Sequence, residues 1–521
     1  MIKNLKWLLL VSLTFVACNE QEDAVVINDS ADGLPLTAGS ADFSKFVSVG
    51  NSLTSGFSDN ALFLEGQINS FPNLMAQKFS AVGSSGFSTP FMADNKGGFN
   101  SNGIQVPGFA TRLFFNGTAP QNVPGISGTS IADKLTGQFN NMGVPGAKSF
   151  HLLSTSYGNP LGLVNGTANP YFVRFASTTS ASILMDAVAQ NPTFFSLWIG
   201  NNDVLSYATT GGIGVNQVNN PNVTTYGGND ITSPAAFATI YNNIVNGLTA
   251  NGAKGVVANI PNVTSVPFFT TIPTNPIPAL PAASAGQLNQ LFGAINQITT
   301  ALGQPNRFNV LTSNDNNPAT TEAPNALLIL DESLPTLQVQ ITAVLTPAVG
   351  SQTAAFLGSI YGRARHAKST AGNRDYILLT SSGLIGANQA GATAPFNVLG
   401  VSYPMQDGSV LTAAETAEVK TATDAFNATI QSVASAKGLA LVDANTLLNQ
   451  VANGGINTGT FTVSSTFVTG GGFSLDGVHP SQRGYALIAG EFIKAINITY
   501  GSNFSNVNLN NTRILYPLNL P

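Results

Sequence analysis

Two stretches of this 521-residue chain pair side chains that could carry an acyl group with side chains that could move a proton. Gly50-Asn51-Ser52-Leu53 places a serine just past the apolar run Ser44–Gly50, and Asp476-Gly477-Val478-His479-Pro480 puts a carboxylate and an imidazole three residues apart. A serine hydroxyl is a poor nucleophile until a base takes its proton. The base is normally a histidine held in one tautomer by a carboxylate. The chain has 3 histidines. His151 stands in the apolar context SFHLL and reads as a packed or surface side chain. His366, among Arg363, Arg365 and Lys368, reads as part of a solvated charged face. Only His479 has a carboxylate in its own turn and a proline fixing the backbone after it. Ser52, Asp476 and His479 are therefore the candidate nucleophile, orienting acid and base.

Attack on an ester also develops negative charge on the carbonyl oxygen, which needs preorganised donors. Two further stretches offer them: Asn141-Met142-Gly143-Val144-Pro145-Gly146 and Gly200-Asn201-Asn202-Asp203. Gly143 can present a backbone N–H, since a residue without Cβ allows close approach. Asn202 can present a side-chain amide, and the Ser52 N–H is a third donor. Asp203 reads as a brace for its loop. Taken singly, each stretch is an ordinary turn; their order and their position at the ends of elements carry the argument.

These residues need elements to hold them. Ser44–Gly50, Pro192–Ile199, Ala253–Ile260 and Leu439–Ala444 read as short buried strands. Ser70–Lys78 reads as a helix with Pro72 in its first turn. Ser233-Pro234 opens a second helix whose stripe runs Phe237, Ile240, Tyr241, Ile244, Val245, Leu248 and ends at Gly252. Thr412 and Glu415 form a capping-box pattern ahead of a third, closed by Gly438. A fourth follows Pro480, with Tyr485, Ile488 and Phe492 on its apolar face. Alternating strands and helices argue for an α/β fold, a parallel sheet covered on both faces. In such a sheet sites form at the carboxyl ends of strands, where Ser52 and Asn202 fall. Gly83–Gly128 reads as a loop insertion and Thr264–Met405 as a large one forming a cap or subdomain, with a helix over Gln287–Leu302.

The four blocks, in this order, resemble the SGNH (GDSL-type) serine hydrolases. Ser52 matches the nucleophile, Gly143 the glycine, Asn202 the asparagine, and Asp476 with His479 the closing D-x-x-H block. The resemblance covers roughly Phe43–Val204, Ser233–Val263 and Leu411–Tyr500. It implies a three-layer flavodoxin-like fold and ester hydrolysis on lipids or acylated carbohydrates without metal or other cofactor. Asn51 departs from it, standing where the family usually has aspartate. The G-x-S-x-G elbow of the other large serine-hydrolase class is absent, Thr54 standing where its second glycine would be.

Composition bounds the setting. Only 9% of residues are charged and the net charge is −5, so there is no basic field for nucleic acid. Lys3 and Lys6 precede the apolar run Trp7–Ala17, a secretory leader too short to span a membrane. FVAC resembles a bacterial lipobox, which implies lipidation of Cys18, the sole cysteine, and a membrane-anchored place in the cell envelope, expected on the outer membrane of a Gram-negative bacterium. The expected organisation is a leader over 1–17, a tether over 18–42, a hydrolase domain over 43–505 with insertions at about 83–135, 205–232 and 264–405, and a tail over 506–521. The competing expectation is a non-catalytic surface lipoprotein that binds glycan or lipid on a hydrolase scaffold. A metal-dependent phosphoesterase is disfavoured by scattered histidines and the lack of an H-x-H or H-E-x-x-H cluster. With 32 Phe against 2 Trp, and several Phe in 83–128, the reading leans towards hydrophobic acyl esters.

Overall fold

The computed structural model describes residues 30–314 and 321–520. The leader, Cys18 and the first part of the tether lie outside the described residues. Five short strands make one parallel sheet: β1 (Phe46–Gly50), β2 (Asn141–Gly143), β3 (Phe194–Trp198), β4 (Lys254–Ala258) and β5 (Ala440–Val442). Their order is 2-1-3-4-5. β1 pairs with β2 on one side and β3 on the other, Gly50 lying opposite both Gly143 and Trp198. The chain thus winds one way from β1 and then the other, opening a crevice at the carboxyl ends of β1 and β3, where ligands settle in doubly wound sheets.

The strands are apolar at both parities, as a sheet covered on two sides requires. Val47, Val49, Phe195, Leu197 and Val257 face one layer; Phe46, Phe194, Trp198, Val256 and Ala440 face the other. The first layer holds α4 (Pro234–Thr249) and α8 (Ala413–Lys437), where Phe237 stacks on Phe426 at 4.2 Å. The second holds α2 (Phe71–Ser80) and α10 (Gln482–Tyr500), with Phe71 stacked on Phe492 at 4.6 Å. The fold is therefore α/β, a parallel sheet between two helical layers. The four strands expected from sequence form, each a little shorter than its apolar run. β2 was not expected as a strand.

Helix ends follow the sequence signals at α8 and in part at α4, which ends at Thr249, three residues short of Gly252. The Thr412–Glu415 capping box forms in both directions and Gly438 closes α8 in left-handed backbone. Pro234 opens α4, but the Ser233 hydroxyl makes no cap; it donates to the Val218 carbonyl at 3.3 Å. Residues 83–128 are mostly loop, carrying two small antiparallel ladders at Asn100–Ser101/Ile104–Gln105 and Leu113–Phe115/Pro120–Asn122.

The long insertion builds a lobe with its own apolar core. α5 (Ala282–Ala301), longer than expected at its start, packs with α6 (Gln338–Val349) and α7 (Ser351–Tyr361) beside the antiparallel pair Leu328–Leu330/Ala364–His366. A buried charge cluster ties it down. Arg365 donates to Asp331 at 2.5 Å and to Asp375 at 2.6 and 2.9 Å, and Asp375 accepts the Ala413 N–H that opens α8. The solvated face expected around His366 is found only in part: Arg363 and Lys368 are exposed, but Arg365 and His366 are each 4% exposed, Arg365 held by the two carboxylates and His366 packed against Phe292 and Phe308. At the other end of the chain Tyr516 is buried, and the Pro517 and Leu518 carbonyls accept from the buried Arg112 guanidinium.

Candidate active site

β1 delivers the chain into a turn that only its own residue sizes allow. A Cβ on Gly50 would lie 2.2 Å from Thr54 Oγ1 and 2.5 Å from the Trp198 carbonyl. Gly50 is thus required for space rather than for an unusual dihedral. Asn51 follows, fully buried. Its Oδ1 accepts from Leu53 N–H at 3.1 Å, capping the short helix α1 (Ser52–Ser55), and its Nδ2 donates to Asn201 Oδ1 at 3.4 Å. Asn51 therefore joins the serine turn to the loop after β3, a link an aspartate could make only by accepting.

The separation of 427 positions from Ser52 to His479 is closed by the fold. Ser52 Oγ lies 2.9 Å from His479 Nε2, and His479 Nδ1 lies 2.9 Å from Asp476 Oδ2. A carboxylate on the Nδ1 side favours the tautomer protonated there, leaving Nε2 to accept the serine proton. Asp476 also accepts N–H groups from Val478 and His479 at 2.8 Å and from Asn60 at 3.0 Å. Burial opposes its charge, but the neighbouring His479 and these hydrogen bonds hold its carboxyl down at about 2. Phe57 covers the imidazole, ring centroids 4.7 Å apart.

A turn that the sequence reading passed over fixes the histidine loop. Ser58 donates to the Pro480 carbonyl, the Asp59 N–H to Ser474 Oγ, and the Leu475 N–H to Asp59 Oδ1. Asp59 and Asn60 both adopt left-handed backbone, at φ 50° and 62°, which Asp and Asn tolerate better than most residues. The Ser-Asp-Asn triplet was the available signal for such a turn.

On the oxyanion side the outcome is divided. Asn202 opens α3 (Asn202–Thr209) and donates one amide hydrogen to the Ala147 carbonyl at 2.9 Å, keeping the second. Asp203 is fully buried, accepting from both the Ser149 N–H and hydroxyl, so it braces the loop. The Gly143 N–H is occupied by Asn141 Oδ1 at 3.0 Å. A Cβ on Gly143 would meet Ser55 N at 2.4 Å, so this glycine makes room for the serine turn, not for a substrate. Gly146, three residues on, is exposed at φ 81°, and its N–H has no hydrogen-bond partner among the described residues. It directly precedes the Ala147 that Asn202 holds. The Pro145-Gly146 pair, a common turn signal, marked it in the sequence.

The other histidines are committed elsewhere. The His151 ring stacks on Tyr157 at 4.3 Å and its Nδ1 accepts the Lys148 N–H; burial, with Lys148 beside it, lowers its pKa to about 3. His366 Nδ1 accepts the Asn309 N–H, and burial lowers its pKa to about 4. Among the described residues, Glu332, Asp407 and Glu415 form a carboxylate group close enough to share a cation, and none of the three lines the cavity at Ser52.

That cavity opens beside Ser52 and His479 with a volume of about 100 Å³. Its walls come from α9 (Ala444–Ala452), the start of α10 and residues 261–266, and none of its lining falls between 267 and 443. The lobe's core thus forms no wall of it. The phenylalanines of 83–128 do not reach it either; Phe99, for example, packs against Phe109 and Tyr171 in the core. Helix α9 was not expected, although Asp443 before the spacing of Leu447, Leu448 and Val451 signals its start. Comparisons with protein-family models, curated proteins and solved structures return no match.

Proposed function

We propose that the chain is a serine hydrolase of the SGNH type that cleaves carboxylic esters through an acyl-serine intermediate. The observation that carries this reading is the continuous relay from Ser52 Oγ through His479 to Asp476, 2.9 Å at each step. Ser52 Oγ attacks the ester carbonyl while His479 Nε2 takes its proton. The oxyanion that forms is met by the Ser52 N–H, the second amide hydrogen of Asn202 and the Gly146 N–H. As the intermediate collapses, His479 returns the proton to the departing alkoxide, leaving the acyl group on Ser52. Water then attacks the acyl-serine, giving its proton to His479, and Ser52 recovers the proton as the carboxylic acid leaves. Asp476 stays ionised throughout and steadies the imidazolium.

The lipid anchor on Cys18 and a position on the outer membrane belong to the same proposal and rest on the leader sequence alone. No helix among the described residues is long and apolar enough to cross a membrane. The test is labelling by a fluorophosphonate together with hydrolysis of p-nitrophenyl esters. Ser52→Ala is expected to abolish labelling and to lower kcat by about 10³-fold or more. A wild-type chain that neither labels nor hydrolyses would leave the non-catalytic, ligand-binding scaffold as the better reading.

A further inference from the structure

The cavity at Ser52 has two kinds of wall. One part of the lining carries the hydrogen-bonding side chains: Asn51, Asn201 and Asn202 beside Ser52 and His479. These are already paired, Asn51 with Asn201 and with the Leu53 N–H, and Asn202 with the Ala147 carbonyl. Much of the rest is aliphatic and aromatic, including Leu447, Leu448 and Val451 of α9 and Leu487 and Ile488 of α10. Trp198 joins them, its indole N–H donating to the Asn259 carbonyl. Leu448, Val451 and Ile488 are each under 10% exposed, so the pocket is set into the molecule rather than lying across its surface.

An ester brings two halves to Ser52. Glycerol or sugar alcohols carry hydroxyls, and burying these against such walls leaves them without partners. A hydrocarbon chain loses nothing there and gains by leaving water. Size narrows the choice. A cavity of about 150 Å³ takes one benzene ring, six carbons, so about 100 Å³ takes roughly four carbons. Resting on the serine-hydrolase reading above, we infer that this pocket receives the acyl chain and selects short to medium esters, from about butanoyl to hexanoyl. Acetyl groups leave it empty, and palmitoyl chains overrun it. The specificity-determining residues are Leu448 and Leu487, on the two helices that form its sides.

The experiment is a p-nitrophenyl ester series from acetate to palmitate, read as kcat/KM on wild type, Leu487→Trp and Leu448→Ala. Each methylene buried should raise kcat/KM by up to about fourfold, so hexanoate should exceed acetate by at least about tenfold in the wild type. Leu487→Trp, at a half-exposed wall position, fills the pocket and should cut the hexanoate-to-acetate ratio about fivefold or more. Leu448→Ala enlarges it and should move the optimum about two carbons longer. Each ratio is taken on a single preparation, so the fraction of folded enzyme cancels. Preference for acetate, or a profile that neither variant moves, overturns the pocket assignment while leaving the hydrolase reading intact. No hydrolysis of any ester, with no fluorophosphonate labelling of Ser52, overturns both.

Discussion

Asp59 shows how much the histidine loop demands of a single side chain. It is 1% exposed, with Oδ1 on the Leu475 N–H and Oδ2 without a partner among the described residues. Burial pushes its carboxyl up to about 7, and the Asp476 charge nearby pushes the same way; the Leu475 N–H and Arg112 act against them. A carboxyl raised from 3.8 binds its proton more tightly folded than unfolded. Its contribution to stability is therefore whole below about pH 4 and is lost as pH rises through about 7. Asp59→Asn keeps the acceptor for Leu475 and tolerates the left-handed backbone, but has no charge to bury. Between pH 5 and 8.5 the thermal unfolding midpoint of wild type should fall further than that of the variant. Glu415 and Asp407, raised to about 7 and about 8, titrate in the same window but are common to both proteins, so the difference isolates Asp59. Asp476 adds nothing there: held at about 2, it loses its contribution only as pH drops from about 4 towards 2. Parallel falls in the two proteins would mean that Asp59 ionises without penalty.

Between elements, the closest tolerance is where the turn after β1 crosses the end of β3. Gly50 stands against the Trp198 carbonyl and the Thr54 hydroxyl with no room for a methyl group. Gly50→Ala must therefore push α1 off the sheet. We expect a loss of about 1–3 kcal/mol in urea unfolding. Fluorophosphonate labelling should fall further than the unfolding alone explains, because a shift of about 1 Å in Ser52 disrupts its geometry with His479. Labelling at the wild-type rate would show that the turn has slack. The lining of the cavity at Ser52 belongs to this scale as well. Much of it comes from α9 and α10, two helices that the chain reaches from β5 and from the histidine loop.

Across the whole molecule, the lobe and the sheet are coupled through a buried ion cluster. Asp331 and Asp375 both face Arg365, with side chains 5% and 0% exposed, and Asp375 accepts the first N–H of α8. Removing one partner of a buried cluster strands the others in a medium that resists charge. Arg365→Ala should therefore cost about 3–5 kcal/mol in urea unfolding, well beyond the effect of an exposed pair such as Lys420–Asp424. A loss under 1 kcal/mol would mean that water reaches the two carboxylates. The same variant should leave the ester chain-length profile unchanged, since no lining of the cavity at Ser52 comes from the lobe's core.

Most of the sheet could be read from the chain, because buried strands and helix caps are local patterns: apolar runs bounded by Gly and Pro, a serine or threonine before a stripe at helical spacing. The residues able to do chemistry could be singled out for the same reason, since an Asp and a His three apart share one turn. The neighbours of those residues could not. Whether a glycine N–H stays free or is taken depends on what lies opposite: that of Gly143 is held by Asn141 Oδ1, while that of Gly146 has no partner among the described residues. Which member of a basic run is buried depends on the carboxylates folded against it, as Asp331 and Asp375 are against Arg365 while Arg363 and Lys368 stay exposed. The sequence by itself determined the α/β plan and the candidate triad, whose partners are set by side-chain type. Only the tertiary structure decided that Ser52 Oγ meets His479 Nε2 and what shape of cavity lies beside them, because both depend on contacts between segments hundreds of residues apart, and no local pattern encodes a distance across the fold.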